Sequence, residues 1–196
     1  IDQNLFNIFG FCDDDRETGT VIESYGNKKY KVICNTAQLK TNKKKIYAVL
    51  GIGDNYQRYK IYSKLNKLNN IKWQKIISKK ANVFDKSKVG EGTVIFNNVN
   101  IGIGSTIGSH CIINNNCSVD HDCIISDFSS LAPGVITGGG VVINKNCHIG
   151  IGTSIKNGIE IHSNTVVGSG SFVNKNCKKN SLYFGIPAKY IKKRSL

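Results

Sequence analysis

The 196-residue chain contains no methionine, two prolines and one tryptophan, and its 27 lysines and arginines face only 13 aspartates and glutamates, a formal charge of +14. Without an initiator Met, the chain is read as beginning downstream of a translation start. Its first residues, Ile1-Asp2-Gln3-Asn4-Leu5, lack the basic, apolar and small-residue series of a secretory signal, so a cytoplasmic protein is expected. No apolar run approaches the roughly 18 residues of a membrane span, and no membrane partner is expected. With 40% hydrophobic and 20% charged residues, the composition is near the globular average apart from abundant Gly and Asn, which excludes wholesale disorder and collagen. The shortage of acidic residues could point to nucleic acid, because a basic balance attracts a phosphate backbone. The lysines are spread along the whole chain, however, without an aromatic-studded basic helix, zinc-finger spacing or RNA-recognition signature. Small polyanionic ligands are therefore expected rather than nucleic acid.

What the chain does have is a period of six. Stepping by six from Ile77 gives Ile77, Val83, Val89, Ile95, Ile101, Ile107, Ile113, Val119, Ile125, Leu131, Thr137, Ile143, Ile149, Ile155, Ile161, Val167 and Val173, aliphatic everywhere except Thr137. Four residues after each comes a small or β-branched residue, from Ala81 and Ser87 through Cys111, Cys117 and Cys123 to Ser171 and Cys177. A helix would need spacings of three and four, and a two-faced strand strict alternation, which leaves a parallel β-helix of hexapeptide repeats over 77–178. Each hexad supplies a short strand and a corner, and three hexads return the chain about 4.8 Å along the axis. Aliphatics stack inside, and Gly and Asn suit the left-handed backbone of the corners.

Five of the seven cysteines occupy the small interior slot and no CxxC pair exists, so the cysteines are read as reduced packing residues. His110, His121, His148 and His162 share no column of the 18-residue coil, which argues against zinc held by converging imidazoles, and no metal is expected. His121 differs from the others in its neighbours. It lies in Asp120-His121-Asp122, and one coil later stand Gly138-Gly139-Gly140, a ledge without side chains where an extended ligand can approach the backbone. Flanking carboxylates raise imidazole basicity and fix its tautomer, so His121 is the candidate general base and Asp122 its orienting partner.

Ahead of the repeat, residues 7–11, 30–34 and 46–50 read as short buried strands and 55–69 as an amphipathic helix. The expected organisation is a small α/β module over 1–70, a connector over 71–76, the β-helix over 77–178 and a basic capping tail over 179–196.

The stretch Asn114-Asn115-Asn116-Cys117-Ser118-Val119-Asp120-His121-Asp122-Cys123-Ile124-Ile125-Ser126-Asp127-Phe128, together with Cys147-His148-Ile149-Gly150-Ile151-Gly152 and Phe184-Gly185-Ile186-Pro187-Ala188-Lys189, resembles the sugar O/N-acetyltransferases of the sialic-acid and bacillosamine type. That resemblance implies a left-handed parallel β-helix, a mainly β protein, preceded by a Rossmann-like module, here apparently incomplete at its start because the Gly-rich phosphate loop is absent. It implies acetyl-CoA as cosubstrate and a UDP-linked 4-amino-4,6-dideoxy sugar as acceptor, with direct transfer to the amine and no acyl-enzyme. Asp13 and Asp14 look like the family's acidic turn, and Gly53 and Asn55 like its later Gly-Asn turn, both toward the nucleotide; Asn114 corresponds to a sugar contact. Ser130, where the family can place a second histidine, is expected with Gly139, Ser169, Gly170, Ile186, Pro187, Ala188 and Lys189 along the coenzyme A groove, with Lys192 and Lys193 toward its phosphates. A homotrimer with sites between neighbouring β-helices is implied as well. Two other readings stay open: O-acetylation of sialic acid or another sugar hydroxyl, and a non-catalytic β-helix scaffold.

Overall fold

The structure is a computed structural model that describes residues 7–194; the reading of Ile1 to Leu5 lies outside the described residues. Packing divides the chain into two compact units.

The smaller unit holds residues 7–46 and 63–72. Strand β1 (Phe11–Cys12) runs parallel to β3 (Lys28–Cys34), which pairs antiparallel with β2 (Val21–Tyr25). Gly26, at φ +57°, supplies the left-handed residue that closes the β2–β3 hairpin. Helix α1 (Thr36–Thr41) starts at a capping box, in which Asn35 accepts from the Gln38 amide while the Gln38 side chain accepts from the Asn35 amide. The expected strand at 7–11 is thus reduced to a pair reaching one residue past it, and the hairpin strand β2 and helix α1 were not expected. Val32, 1% exposed, is the most buried apolar side chain here.

The larger unit holds residues 47–62 and 73–194. Its first face stacks Ile76–Ile77, Val94–Ile95, Ile112–Ile113, Ser130–Leu131, His148–Ile149 and Val166–Val167 in parallel. The second stacks Asn82–Val83, Asn100–Ile101, Ser118–Val119, Ile136–Thr137, Ser154–Ile155 and Phe172–Val173. Thr106–Ile107, Ile124–Ile125, Val142–Ile143 and Glu160–Ile161 make the third. Ile113 pairs with Ile95 on one side and Leu131 on the other, the coil repeat read from the sequence. The hexad aliphatics form one continuous core, each buried side chain supplying about 1.5–3 kcal/mol of transfer free energy. This is the mainly β, left-handed parallel β-helix expected.

The five repeat cysteines are at most 1% exposed, and burial pushes the thiols of Cys111, Cys147 and Cys177 up to about 12. From Gly92 to Gly170 every sixth residue has positive φ, and each of these corner residues is Gly or Asn except His110, Asp122 and Phe128. After the last rung, Ser181–Phe184 joins the first face in parallel and Lys189–Lys193 folds back antiparallel, covering the terminal strand edge.

Helix α2 (Asn55–Leu65) ends four residues before the expected bound, in a turn where the Leu68 amide donates to the Leu65 carbonyl. Packing assigns residues 47–62 to the β-helical unit, although the sequence places them in the N-terminal module. The cause is polar. Arg58, 1% exposed, points all its donors at fixed acceptors: Nε to His110 O, Nη1 to Ile52 O and Gly53 O, Nη2 to Asn55 Oδ1 and Phe128 O. Asn55 Nδ2 donates to Cys147 O at 2.8 Å.

Candidate functional site

His121 stands at the corner between the second and third faces. The Asp120 carboxylate accepts from the His121 amide at 2.8 Å, and the Asp120 amide donates to Thr137 Oγ1 at 3.1 Å. The one non-aliphatic member of the core column is therefore the residue that supports this corner. His121 Nδ1 lies 2.9 Å from Asp122 Oδ2. With Asp122 ionised, Nδ1 carries the proton and Nε2 is left as the acceptor. The Asp122 hydrogen bond first, and the Asp120 charge second, raise the pKa of His121, whose side chain is 56% exposed.

Two glycines shape the corner. A Cβ on Gly139, one coil above His121, would land on its Nε2, and a Cβ on Gly104, one coil below Asp122, would land on its Oδ1. The Gly139 ledge thus differs from the bare shelf expected: the imidazole itself lies across it, with Nε2 at the ledge. Asp122 holds its carboxylate toward the ring from a left-handed backbone, φ +56°, unusual for a residue other than Gly or Asn.

The other expected site residues fall on different edges of the same prism. Asn114, Ser169 and Gly170 lie at the corner between the first and second faces. There Gly185 donates to Ser171 Oγ at 3.2 Å and the Ala188 amide to Phe172 O at 2.7 Å, which brings Ile186, Pro187, Ala188 and Lys189 beside Ser169 and Gly170. Ile186 is 78% exposed. Gly53, Asn55 and Ser130 gather on the first face near its corner with the third. Asn55, expected to touch substrate, is 7% exposed and engaged by Arg58 and Cys147; Ser130, expected beside coenzyme A, is 5% exposed with Oγ 2.9 Å from His148 Nδ1. Both side chains are satisfied inside the packed layer, where leaving these partners is costly. A cavity of about 290 Å³ there is lined by Gly53, Asp54, Tyr56, Asn146, His148 and Arg194. Lys192 and Lys193 border a second, of about 310 Å³.

In the smaller unit, Asp13 Oδ1 accepts from the Asp15 amide at 2.9 Å, and Asp14 accepts from Thr36 N at 2.7 Å and Thr36 Oγ1 at 2.8 Å. These bonds, the backbone one foremost, lower the Asp14 pKa.

Sequence reasoning missed Arg58 and the aromatic box around His110. His110 stacks on Phe128 with centroids 5.0 Å apart, between Tyr62 and Trp73. Burial, with the Arg58 charge behind it, brings its pKa down to about 4. The usable signal was the corner column: Phe128 and His110 stand where Gly or Asn belongs. Among the described residues no group of His, Cys, Asp or Glu converges as a metal site, and no helix is long and apolar enough to cross a membrane.

The repeat and the corners define a left-handed hexapeptide-repeat β-helix, and the chains it resembles are sugar acetyltransferases. Residues 1–65 match the model of the PglD N-terminal domain. A structure of a His-to-Asn mutant of perosamine N-acetyltransferase from Caulobacter crescentus, in complex with CoA and GDP-perosamine, is 28% identical, covers 84% of this chain and 79% of that one, and superposes with a TM-score of 0.77. The acetyltransferase domain of PglB from Neisseria gonorrhoeae FA1090, in complex with acetyl coenzyme A, is 26% identical over 93% of this chain and 85% of that one, TM-score 0.80. WeeI from Acinetobacter baumannii AYE, at 24% identity over 93% and 85%, TM-score 0.81, shows the same fold. No curated protein matches the sequence significantly.

Proposed function

We propose that this protein is an acetyl-CoA-dependent N-acetyltransferase that acetylates the 4-amino group of a nucleotide-linked 4-amino-4,6-dideoxy sugar. The observation that carries the reading is the His121–Asp122 pair, with Nδ1 tied to a carboxylate at 2.9 Å and Nε2 at the Gly139 ledge. The acyl chemistry is supported by the solved relatives, one with CoA and GDP-perosamine and one with acetyl coenzyme A.

In this mechanism the amine attacks the thioester carbonyl, His121 Nε2 takes the proton and Asp122 stabilises the imidazolium that results. The Gly138 and Gly140 amides donate to Ile155 O and His121 O, so the Gly139 amide is the backbone donor assigned to the developing oxyanion or the pantetheine arm. Transfer is direct, since the interior cysteines are buried and held as thiols, unfit to carry an acyl group. Asp13, Asp14 and Gly53 are assigned to the nucleotide, Asn114 to the sugar, and Ser169, Gly170 and Ile186 to Lys189 to coenzyme A. UDP remains the proposed nucleotide, with GDP as its tested competitor because the perosamine enzyme binds GDP-perosamine.

His121 and the Ser169–Lys189 group stand on different corners of one prism, so a single chain does not bring them onto one edge. We infer a homotrimer in which one copy's His121 edge meets the next copy's Ser169 edge, giving three shared sites.

The test is a thiol-release assay with acetyl-CoA and UDP-, GDP- and dTDP-4-amino-4,6-dideoxy sugars beside sialic acid. Turnover of an amino sugar that is lost in His121→Ala is the expected result. Turnover of sialic acid alone would move the reaction to oxygen, and silence on every acceptor would favour the scaffold.

A further inference from the structure

The smaller unit contains two cysteines outside the repeat, and its topology sets them side by side. Phe11 on β1 pairs with Val32 on β3, but the next residue, Cys12, pairs with Cys34, so the register slips by one residue at Ile33. Such a bulge re-aims the side chains that follow it. Here it places Cys34, not Ile33, opposite Cys12. The Asp13 amide closes the arrangement by donating to Cys34 O at 3.0 Å. Directly opposed residues on neighbouring strands are about 4.8 Å apart, inside the roughly 4.4–6.8 Å Cα range that a disulfide spans.

Both thiols are free, Cys12 exposed and Cys34 half-buried. Burial, followed by the neighbouring Cys34, pushes the Cys12 thiol up to about 12, which makes Cys12 the resolving rather than the attacking thiol. The other five cysteines are at most 1% exposed, so a reagent in solution meets this pair first.

We propose that Cys12 and Cys34 form a vicinal dithiol site, closed reversibly to a disulfide by small-molecule disulfides and able to chelate trivalent arsenicals, that controls the acidic turn at Asp13 and Asp14. In the redox step the Cys34 thiolate attacks glutathione disulfide and expels one glutathione. The second thiol then attacks the mixed disulfide, forming the Cys12–Cys34 bond and expelling the other glutathione. Two protein thiols are oxidised, and one glutathione disulfide is reduced to two thiols. The bond would join the residue before Asp13 to the segment carrying Thr36, which already holds both oxygens of Asp14. Oxidation thereby fixes the Asp14 carboxylate on Thr36 and withholds it from a ligand, a consequence that rests on the proposed nucleotide role of this turn.

The native chain is incubated with glutathione disulfide, alkylated and analysed by peptide mass spectrometry, and in parallel titrated with phenylarsine oxide. The expected result is a Cys12–Cys34 cross-link with the five interior cysteines still alkylated only after unfolding, and one arsenical retained per chain. Cys12→Ser and Cys34→Ser, conservative changes at an exposed and a half-buried position, should retain no arsenical and carry a single glutathione instead of the cross-link. Glutathionylation without a cross-link in the unmutated chain, or absent arsenical binding, overturns the dithiol site. A several-fold rise in the KM for the nucleotide sugar on oxidation, at constant KM for acetyl-CoA, supports control of the turn. A formed cross-link with unchanged KM values overturns that control alone, and because the cross-link is read by mass, it stands or falls independently of the acetyltransferase reading.

Discussion

The corner at Asp122 and the corners at His110 and Phe128 share one backbone geometry and serve opposite purposes. All three residues sit at positive φ in a column otherwise made of Gly and Asn. At His110 and Phe128 the side chains turn into an aromatic box with Tyr62 and Trp73 while their carbonyls receive Arg58, so the unusual residues weld residues 47–62 to the prism. At Asp122 the corner is open among the described residues, and the carboxylate reaches the exposed ring of His121. Two histidines eleven positions apart in the sequence consequently titrate in opposite directions, His110 down to about 4 by burial and His121 up by its carboxylates. Environment, rather than residue type or spacing, separates the packing histidine from the proposed base.

The comparison breaks most sharply at His121. In His121→Ala, acetyl transfer should fall by roughly 10²–10⁴, the range for a lost general base. Thermal unfolding should stay near that of the unmutated chain because the ring is exposed. An unchanged rate would make the exposed histidine as inert toward acetyl transfer as the buried one. Gly139→Ala probes the same ring from above. Its Cβ would land on Nε2, and displacing a proton acceptor by about 1 Å costs on the order of 10²-fold. Steady-state kcat should drop with little change in the melting temperature, and full activity would show that Nε2 does not work from this ledge.

His110 sharpens the other side of the comparison through pH. Its folded pKa, about 4, lies below the unfolded value near 6.5. The unfolded chain therefore binds the extra proton first, and stability present above about pH 6.5 declines as pH falls toward 4, by about 3 kcal/mol at most. Urea unfolding between pH 7 and 4 should show that decline, and His110→Phe, which keeps the ring stack and loses the titration, should flatten it. An identical slope in the variant would assign the acid sensitivity elsewhere.

The β-helix was legible because every hexad repeats the same demand: an aliphatic inward, a small residue beside the corner, a left-handed residue at the turn. Seventeen inward positions in register, fourteen of them with a left-handed corner, outweigh any local propensity, and even the exception, Thr137, fell where the Asp120 amide needs an acceptor. His121 was legible by its company, Asp120, Asp122 and Gly139. Arg58 was not, because its partners are mostly backbone carbonyls from residues 52 to 128, which only the folded chain assembles. Asn55 was read as a ligand contact from its Gly-Asn turn, yet its amide is spent inside the fold. The hairpin β2 and helix α1 did carry local signals, Gly26 and the Asn35–Gln38 capping box, but no period drew attention to them.

The smallest expected effect falls on Asp122 itself, and it tests whether an unusual corner residue can act on chemistry through its neighbour. The first cause of the raised His121 pKa is the Asp122 hydrogen bond. The neutral imidazole, the form that accepts a proton from the amine, is lost as pH falls through that raised value. In Asp122→Asn the charge and its pull on the proton disappear, while Asp120 remains as a weaker contributor. The acidic limb of kcat/KM should move to lower pH, and the plateau rate should fall about tenfold, since a less basic imidazole is the poorer general base and its tautomer is no longer fixed. Gly104, which makes room for Oδ1, also accommodates the amide that replaces it, so the fold should persist. A lowered plateau with an unmoved limb would reduce Asp122 to a tautomer anchor. An unchanged profile would leave it a strained corner like Phe128, held for packing alone.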